Sequence, residues 1–544
     1  MENRIVFRHI KSYIFVAFLL LSLFAWEAFI YAQNKQTEKK SAPAFKEALQ
    51  HEFIIIEYPH DYDFNPHTSN YADEAQLFTG LYEGLFSYDP YSLEPLPALA
   101  ESARVSRDKK TWTFKIRKDA VFSDGAKITA QTFYDSWVQM LAPETDAPFA
   151  SLLDCVKGVA DYRAGKAAAD AIGLSVRDEY TLIVQLENPT EHLPRILCHH
   201  SFAAVPKKEG VYSGPFVLES ATSDTIKLVK NPKYRDAANV PLPEITIKMS
   251  EDAADNAYLL NNGRADWAMS AIDTSKVLVP RNIKVSAEFA TEYLFFKSDK
   301  FPWNQHEFRS ALLTAVPWDE LREQTFVPAE TFIYALPGYD SPAGYTSQDT
   351  EEAKILLDEA KKQHGVKADE KLSLTFAIMD SEYMKEQAKL IKDAWTALGI
   401  DVQIQSTPPS RYLSSIESWN ADLFSYTWIG DFADPVAFLE LFRGDSTLNI
   451  SSWANAEFDA LLEKAAATQV SGERFSLLAN AEGALLDSGM VIPISHPVSV
   501  NVIDLDAISG WFPNALDIHP FKYIYFTGAT PKIQEKLNLV KLEL

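Results

Sequence analysis

Apolar and polar positions alternate with two different periods along this chain, and the changes of period mark its elements. In "TWTFKI" (111–116), Trp112, Phe114 and Ile116 fall on one side, which predicts a half-buried strand. "FSDG" then turns the chain, and "TAQTFYDSWVQML" places Phe133, Trp137 and Leu141 on one helical face. "TLIVQL" (181–186) returns to alternation. Residues near 90–203 are therefore expected to form a compact α+β unit.

A second pattern is sharper. "DTEEAKILLDEAKKQHG" opens on Asp349 as N-cap with Glu352 three positions on, carries Ala353, Leu356, Leu357 and Ala360 as its apolar stripe, and closes at Gly365. "LSLTFAIM" (372–379) alternates. "EYMKEQAKLIKDAWTALG" sets Met384, Ala388, Ile391, Trp395 and Leu398 on one face and stops at Gly399. "IDVQIQ" alternates again through Ile400, Val402 and Ile404. Strand, helix, strand in this order predicts a βαβ crossover and a parallel sheet. A further strand, "ADLFSYTW" (421–428), runs into "SYTWIGDFADP", where Asp431 stands among Trp428, Ile429, Gly430 and Phe432. Asp431 is thus expected just past the C-terminal end of a sheet strand, where open α/β sheets collect ligands. A lone buried carboxylate is costly, so the segment reads either as a turn or as a site for a cation.

Length and charge narrow the class. A chain of 544 residues exceeds one core, so two or three domains are expected. The net charge is −24; three cations against two acids give residues 1–32 a net +1, leaving −25 on the rest. Such a surface repels phosphate backbones, which argues against a nucleic-acid partner. Residues 1–32 join a basic start, "RIVFRHIK", to an apolar run, "YIFVAFLLLSLFAW", and end in "IYA", the form of a signal peptide cleaved after Ala32. An uncleaved N-terminal anchor is the alternative. Residues 33–52 form a polar tether, and the fold begins near Phe53. Export makes a Cys155–Cys198 disulfide or two buried thiols equally open.

Searches for chemistry are sparse. No Gly-rich phosphate loop and no G-x-S-x-G elbow occur. "SRDK" (106–109) lacks its companion motifs and reads as a charged turn. "CHH" (198–200) has no second ligand cluster at zinc spacing and reads as a strand edge. No enzyme, cofactor or metal is expected.

The order of segments resembles a known family. "NPHTSNYADEAQLFTGLYEGLFSYDP", "LEPLPALAESARVSRDKKTWTFKIRKDAVFSDGAKITAQTFYDSW", "SGPFVLESATSDTIKLVKNPKYRD", "FRSALLTAVPWDEL", "EEAKILLDEA" and "WTALGIDVQIQSTPPSRYLSSIESWNADLFSYTWIGDFADP" follow one another as in the peptide-binding extracytoplasmic proteins of ABC transporters, the oligopeptide- and dipeptide-binding family 5. The resemblance covers roughly residues 53–525. It implies an α/β, two-lobed fold of the periplasmic-binding-protein type, hinged, with an inserted α+β subdomain. Lobe I would comprise 51–87, 204–292 and 497–544, the insertion 88–203, and lobe II 293–496. The hinge crossings would lie near 290–297 and 493–500. The implied function is a periplasmic, monomeric solute receptor that binds peptides between its lobes and delivers them to inner-membrane ABC permease subunits. A sensory peptide receptor of the same fold, or a binder of a nickel complex or sugar, is the alternative.

The resemblance also implies site roles. In peptide-binding relatives the acid of the W-x-x-D element holds the ligand's α-ammonium, and Asp431 is the matching residue, with Trp428 three before it. The backbones of Thr427 and Ile429 would bond the ligand main chain as an added strand, with Gly430 at its end. Arginines that read the ligand carboxylate in relatives are replaced by Ile416 and Ser425. A frequent acid falls near Asn70, with Tyr71 and Ala72 beside it, a frequent tyrosine is Phe149, and Ser270 completes the candidate wall. Arg411 and Arg443 are the nearby cations that could substitute for them, each read in preference as solvated surface Arg.

Overall fold

The computed structural model describes residues 52–528, apart from 70, 191, 337, 410, 413–415, 431, 433 and 469. The expected signal peptide 1–32, nearly all of the tether, Asn70, Asp431 and the segment 529–544 lie outside the described residues.

The strand Phe53–Glu57, "FIIIE", is buried along nearly all its length, as a strand covered on both faces must be. It is the parallel centre of a seven-stranded sheet, pairing with Glu244–Met249 on one side and Trp267–Ala268 on the other. The other strands of this sheet come from 216–230, 283–287 and 498–503. Lobe I is thus assembled from segments far apart in sequence.

The strand Thr111–Ile116 forms as expected and sits inside a four-stranded antiparallel sheet with Ala100–Val105, Thr181–Gln185 and Leu174–Asp178. The helix Ala130–Leu141 covers it, burying Phe133, Trp137 and Leu141. This is the inserted α+β unit.

Lobe II holds the βαβ crossover. The helix Thr350–Gln363 starts where the Asp349 carboxylate accepts the Glu352 N–H at 2.9 Å and stops at Gly365 with φ +72°, a left-handed turn that suits glycine. Glu351 and Glu352 in its first turn and Lys361 and Lys362 in its last oppose the helix dipole. Strands Ser373–Met379 and Asp401–Thr407 run parallel, Leu374 against Val402, joined by the helix Glu382–Ala397. Trp395 is buried under that helix and its indole N–H donates to Leu312 O at 2.9 Å. Ile404 departs from the expected alternation. Its strand is the sheet edge, and Ile404 is 37% exposed where Val402 is 1%.

The order of the lobe II sheet is Asp401–Thr407, Ser373–Met379, Leu423–Ile429, Ala290–Phe296, Val491–Ser495. The strand Ala290–Phe296 belongs wholly to it, while Ile283–Ala287 belongs to lobe I. The first crossing therefore falls at 288–289, not beyond 292, because the antiparallel pairing with Leu423–Ile429 already begins at Ala290. The second falls at His496–Pro497. Glu288 N–H donates to Pro497 O at 3.2 Å and ties the two crossings together.

Candidate functional site

Pairing decides what the strand Leu423–Ile429 offers. On one side Ala290–Phe296 pairs with it along its full length, from Ala290 opposite Ile429 to Phe296 opposite Leu423. On the other side Ser373–Met379 pairs only at Phe376–Leu423 and Ala377–Phe424, then stays with Asp401–Thr407. Among the described residues no strand pairs with 425–429 on that side. Tyr412 stands in the first gap. Its hydroxyl lies 2.8 Å from Ser425 O and 3.0 Å from Ala377 O, and accepts from Ser425 Oγ at 3.2 Å.

The direction of each backbone group follows. Gly430 N–H donates to Phe289 O at 2.8 Å, so even-numbered residues point toward Ala290–Phe296. Ser425 O points to the other edge. With a two-residue period, the N–H and C=O groups of Thr427 and Ile429 also face that open edge. The Thr427 side chain is exposed and Ile429 is half-buried.

Trp428 points to the opposite face, 7% exposed, with its indole N–H donating to Ala437 O at 2.8 Å. Phe149 of the inserted unit lies 6.2 Å away, centroid to centroid. From there an aromatic run continues through His199 at 4.3 Å and His200 to Phe78 of lobe I. Burial pushes the His199 imidazole down to about 3 and His200 well below its usual range, so both are neutral near pH 7. At the strand end Gly430 is required sterically, since a Cβ there would meet the Phe289 ring at 2.6 Å and the Phe438 ring at 2.9 Å. Gly430 and Phe432, on either side of Asp431, are both buried. The next acid, Asp434, is fully engaged by Arg474 through bonds of 2.7 and 2.9 Å. Burial raises its carboxyl, but Arg474 outweighs burial and holds it below the usual range.

The remaining expected site residues lie in lobe I. Ser270 Oγ accepts the Tyr58 N–H at 2.9 Å, just past the strand Phe53–Glu57. The Tyr58 phenol is raised by burial and by Glu251 and Asp380. Asp380 follows the lobe II strand Ser373–Met379. Tyr71 stacks on His60 at 4.5 Å, and His60 stacks on Tyr62 at 3.9 Å. His60 lies 3.5 Å from Glu74. Ala72 is exposed at the start of the helix Ala72–Leu81.

Three residues were missed by the sequence reading. Glu292 sits opposite Thr427 in the pairing. Its Oε2 accepts from Ser495 Oγ at 2.6 Å and Tyr383 OH at 3.0 Å. Burial raises its carboxyl, and those two hydrogen bonds pull it back. Tyr58 is the other. An acid inside the apolar run "ATEYLFF" was the available signal for Glu292; nothing local marked Tyr58 or Tyr383.

Other expectations are corrected. Arg443 is not a solvated surface cation: its side chain is 21% exposed and paired with Asp154, Glu440 and Asp445. Arg411 is exposed. Ile416 and Ser425 are both buried, Ser425 against Tyr412. Cys198–His200 is a turn leading into a short 3₁₀ segment, not a strand edge, because its two rings are drawn into the aromatic run. Cys155 and Cys198 are free thiols, and burial pushes Cys155 up to about 12. Among the described residues no group of His, Cys, Asp and Glu is placed to hold a metal ion.

Residues 94–449 match the family described as bacterial extracellular solute-binding proteins, family 5 middle. The chain belongs to this family. Dipeptide-binding protein DppE of Bacillus subtilis is 27% identical over 74% of this chain and 78% of its own. Periplasmic oligopeptide-binding protein OppA of Salmonella typhimurium is 27% identical over 81% of this chain and 86% of its own. The Escherichia coli murein tripeptide binding protein MppA superposes with a TM-score of 0.80 at 24% identity, over 88% of this chain and 99% of the other. MppA in its unliganded open form superposes at only 0.59, with 25% identity over 88% and 98%. The coverage is nearly equal, so the lobes here are set differently from that open form. Family members of this kind are extracytoplasmic binding proteins. Among the described residues no helix is long and apolar enough to cross a membrane.

Proposed function

We propose that the protein is the solute receptor of an ABC transporter, which closes on a peptide between its lobes and delivers it to membrane permease subunits. The observation that carries this reading is the open strand edge at Thr427 and Ile429. An extended main chain laid along it satisfies those N–H and C=O groups whatever its side chains are. Asp431 is the anchor for the ligand's α-ammonium. A carboxylate taken out of water is stabilised by such a charge and costly without it. The names of DppE, OppA and MppA, all peptide binders, support the same class.

The other end of the ligand is left open. Ile416 and Ser425 bring no charge, and Arg443 is engaged elsewhere. The peptide carboxylate then stays in water, which allows several lengths. Residues 1–32 act as the export signal, and the mature receptor works as a monomer outside the cytoplasm.

Native mass spectrometry of the purified protein, followed by titration of one peptide series, tests this. Asp431→Ala and N-acetylation should each weaken binding by about 2–5 kcal/mol, while C-terminal amidation should cost less than about 1.4 kcal/mol. Equal affinity for free and acetylated peptides would remove Asp431 from the role given it.

A further inference from the structure

The inserted unit touches both lobes. Against lobe I it continues the chain and shares buried bonds, among them His67 Nε2 to Ser136 Oγ at 3.2 Å. Against lobe II it packs apolar groups, with Phe149 6.2 Å from Trp428 and His192 stacked 5.5 Å from Phe432, and beside them it meets residues 443–447 through charged and hydroxyl groups. Arg163 bonds the Asp154 carboxylate twice, at 2.9 and 2.6 Å, and reaches Asp445 O at 3.1 Å. Arg443 of lobe II donates to the same Asp154. Ser151 N–H donates to Thr447 Oγ1 at 3.2 Å, Thr447 Oγ1 to Pro148 O at 2.7 Å, and Ser151 Oγ lies 3.1 Å from Ser446 Oγ.

We propose that Asp154 and Arg443, with Ser151, Ser446 and Thr447, form a clasp between the inserted unit and lobe II that parts when the receptor opens and shuts over bound ligand. This rests on the function proposed above. Each half keeps a partner when the halves separate. Asp154 retains Arg163, and Arg443 retains Glu440 at 3.2 Å and Asp445 at 2.7 Å. No charge is orphaned by opening, so the large cost of breaking a buried pair does not arise. The seam beside the clasp is open space, a cavity of about 710 Å³ lined from both sides by Asp154, His192, Phe432, Asp434 and Arg443.

Ser151→Cys with Ser446→Cys, in a Cys155→Ser, Cys198→Ser background, tests the clasp. The probe is an equimolar mixture of tri-, tetra- and penta-alanine. The disulfide should form several-fold faster with the mixture present. Oxidised empty protein should refuse the peptides until reduced, and protein oxidised after loading should hold them. Asp154→Asn should speed their release on the order of thirtyfold. Oxidised protein that binds and releases as the reduced form does would overturn the clasp, as would failure of the disulfide to form at all. Small-angle scattering separates this from the functional reading. The empty protein should have a larger radius of gyration reduced than oxidised, even if no alanine peptide binds. Equal radii would make the contact a fixed joint.

Discussion

The central strands of the two lobe sheets, Phe53–Glu57 and Leu423–Ile429, differ in what they leave unpaired. Phe53–Glu57 is paired to its last residue, Glu57 opposite Met249, with a second parallel partner alongside. Leu423–Ile429 is paired to its end on one side only. On the function proposed above, lobe I would present side chains and loops to the ligand, such as Ser270 and Tyr71, and lobe II would present main chain. A sheet edge is a template for another strand, and a receptor that reads main chain tolerates many sequences.

That contrast can be broken by one substitution made twice. Ile56→Pro puts a proline between two parallel partners, where ladder hydrogen bonds are lost, and should cost about 3 kcal/mol or more, seen as failure to fold or a sharply lower Tm. Thr427→Pro removes an N–H that faces an open edge, where proline is tolerated. It should leave Tm nearly unchanged and reduce peptide affinity on the order of a hundredfold, since it deletes a ligand bond and puts a ring in its path. Equal loss of fold by both variants would mean that the Thr427 edge is not open.

Protonation sharpens the same comparison. His67 is held down at about 4 and His199 at about 3, both by burial at the junction of lobe I and the inserted unit. The unfolded chain binds those protons first as pH falls below about 6.5, so stability should drop from there toward pH 4, by up to about 1.4 kcal/mol per unit for each histidine. Glu288 at the hinge works oppositely. Burial, reinforced by Asp517, raises it to about 8, so the folded chain holds the proton longer, and stability falls as pH rises from about 4.5 through 8. Thermal melts from pH 4 to 9 should show a maximum between these limbs. His199→Phe should flatten the acid limb.

Much of this was legible locally. The helix 350–363 carries its own start and stop at Asp349 and Gly365, and the crossover through Gly399 was readable because each period is set within a few residues. What escaped depended on distant pairing. That 425–429 lacks a partner follows from where Ser373–Met379 turns aside, which no pattern inside "SYTWIG" encodes. Glu292 gains its position from a strand more than a hundred residues away. Arg443 looked like surface because its partner Asp154 lies in a different unit. The naming of Asp431 came from family resemblance, and that residue lies outside those described.

The smallest expected effect belongs to Thr427→Ala. Its side chain is exposed and its contribution is main chain, so affinity and Tm should both stay within about 0.5 kcal/mol. A loss comparable to that of Thr427→Pro would show that the hydroxyl, not the backbone, meets the ligand.

Hydrogen exchange resolved to single amides tests the added-strand claim most directly. Without peptide, the Thr427 and Ile429 N–H groups should exchange fast, and Trp428, turned toward Ala290–Phe296, slowly. With the alanine peptides bound, Thr427 and Ile429 should slow at least about tenfold while Trp428 hardly changes. Protection that rises equally at all three residues, or at none, would contradict a ligand bound as an added strand at this edge.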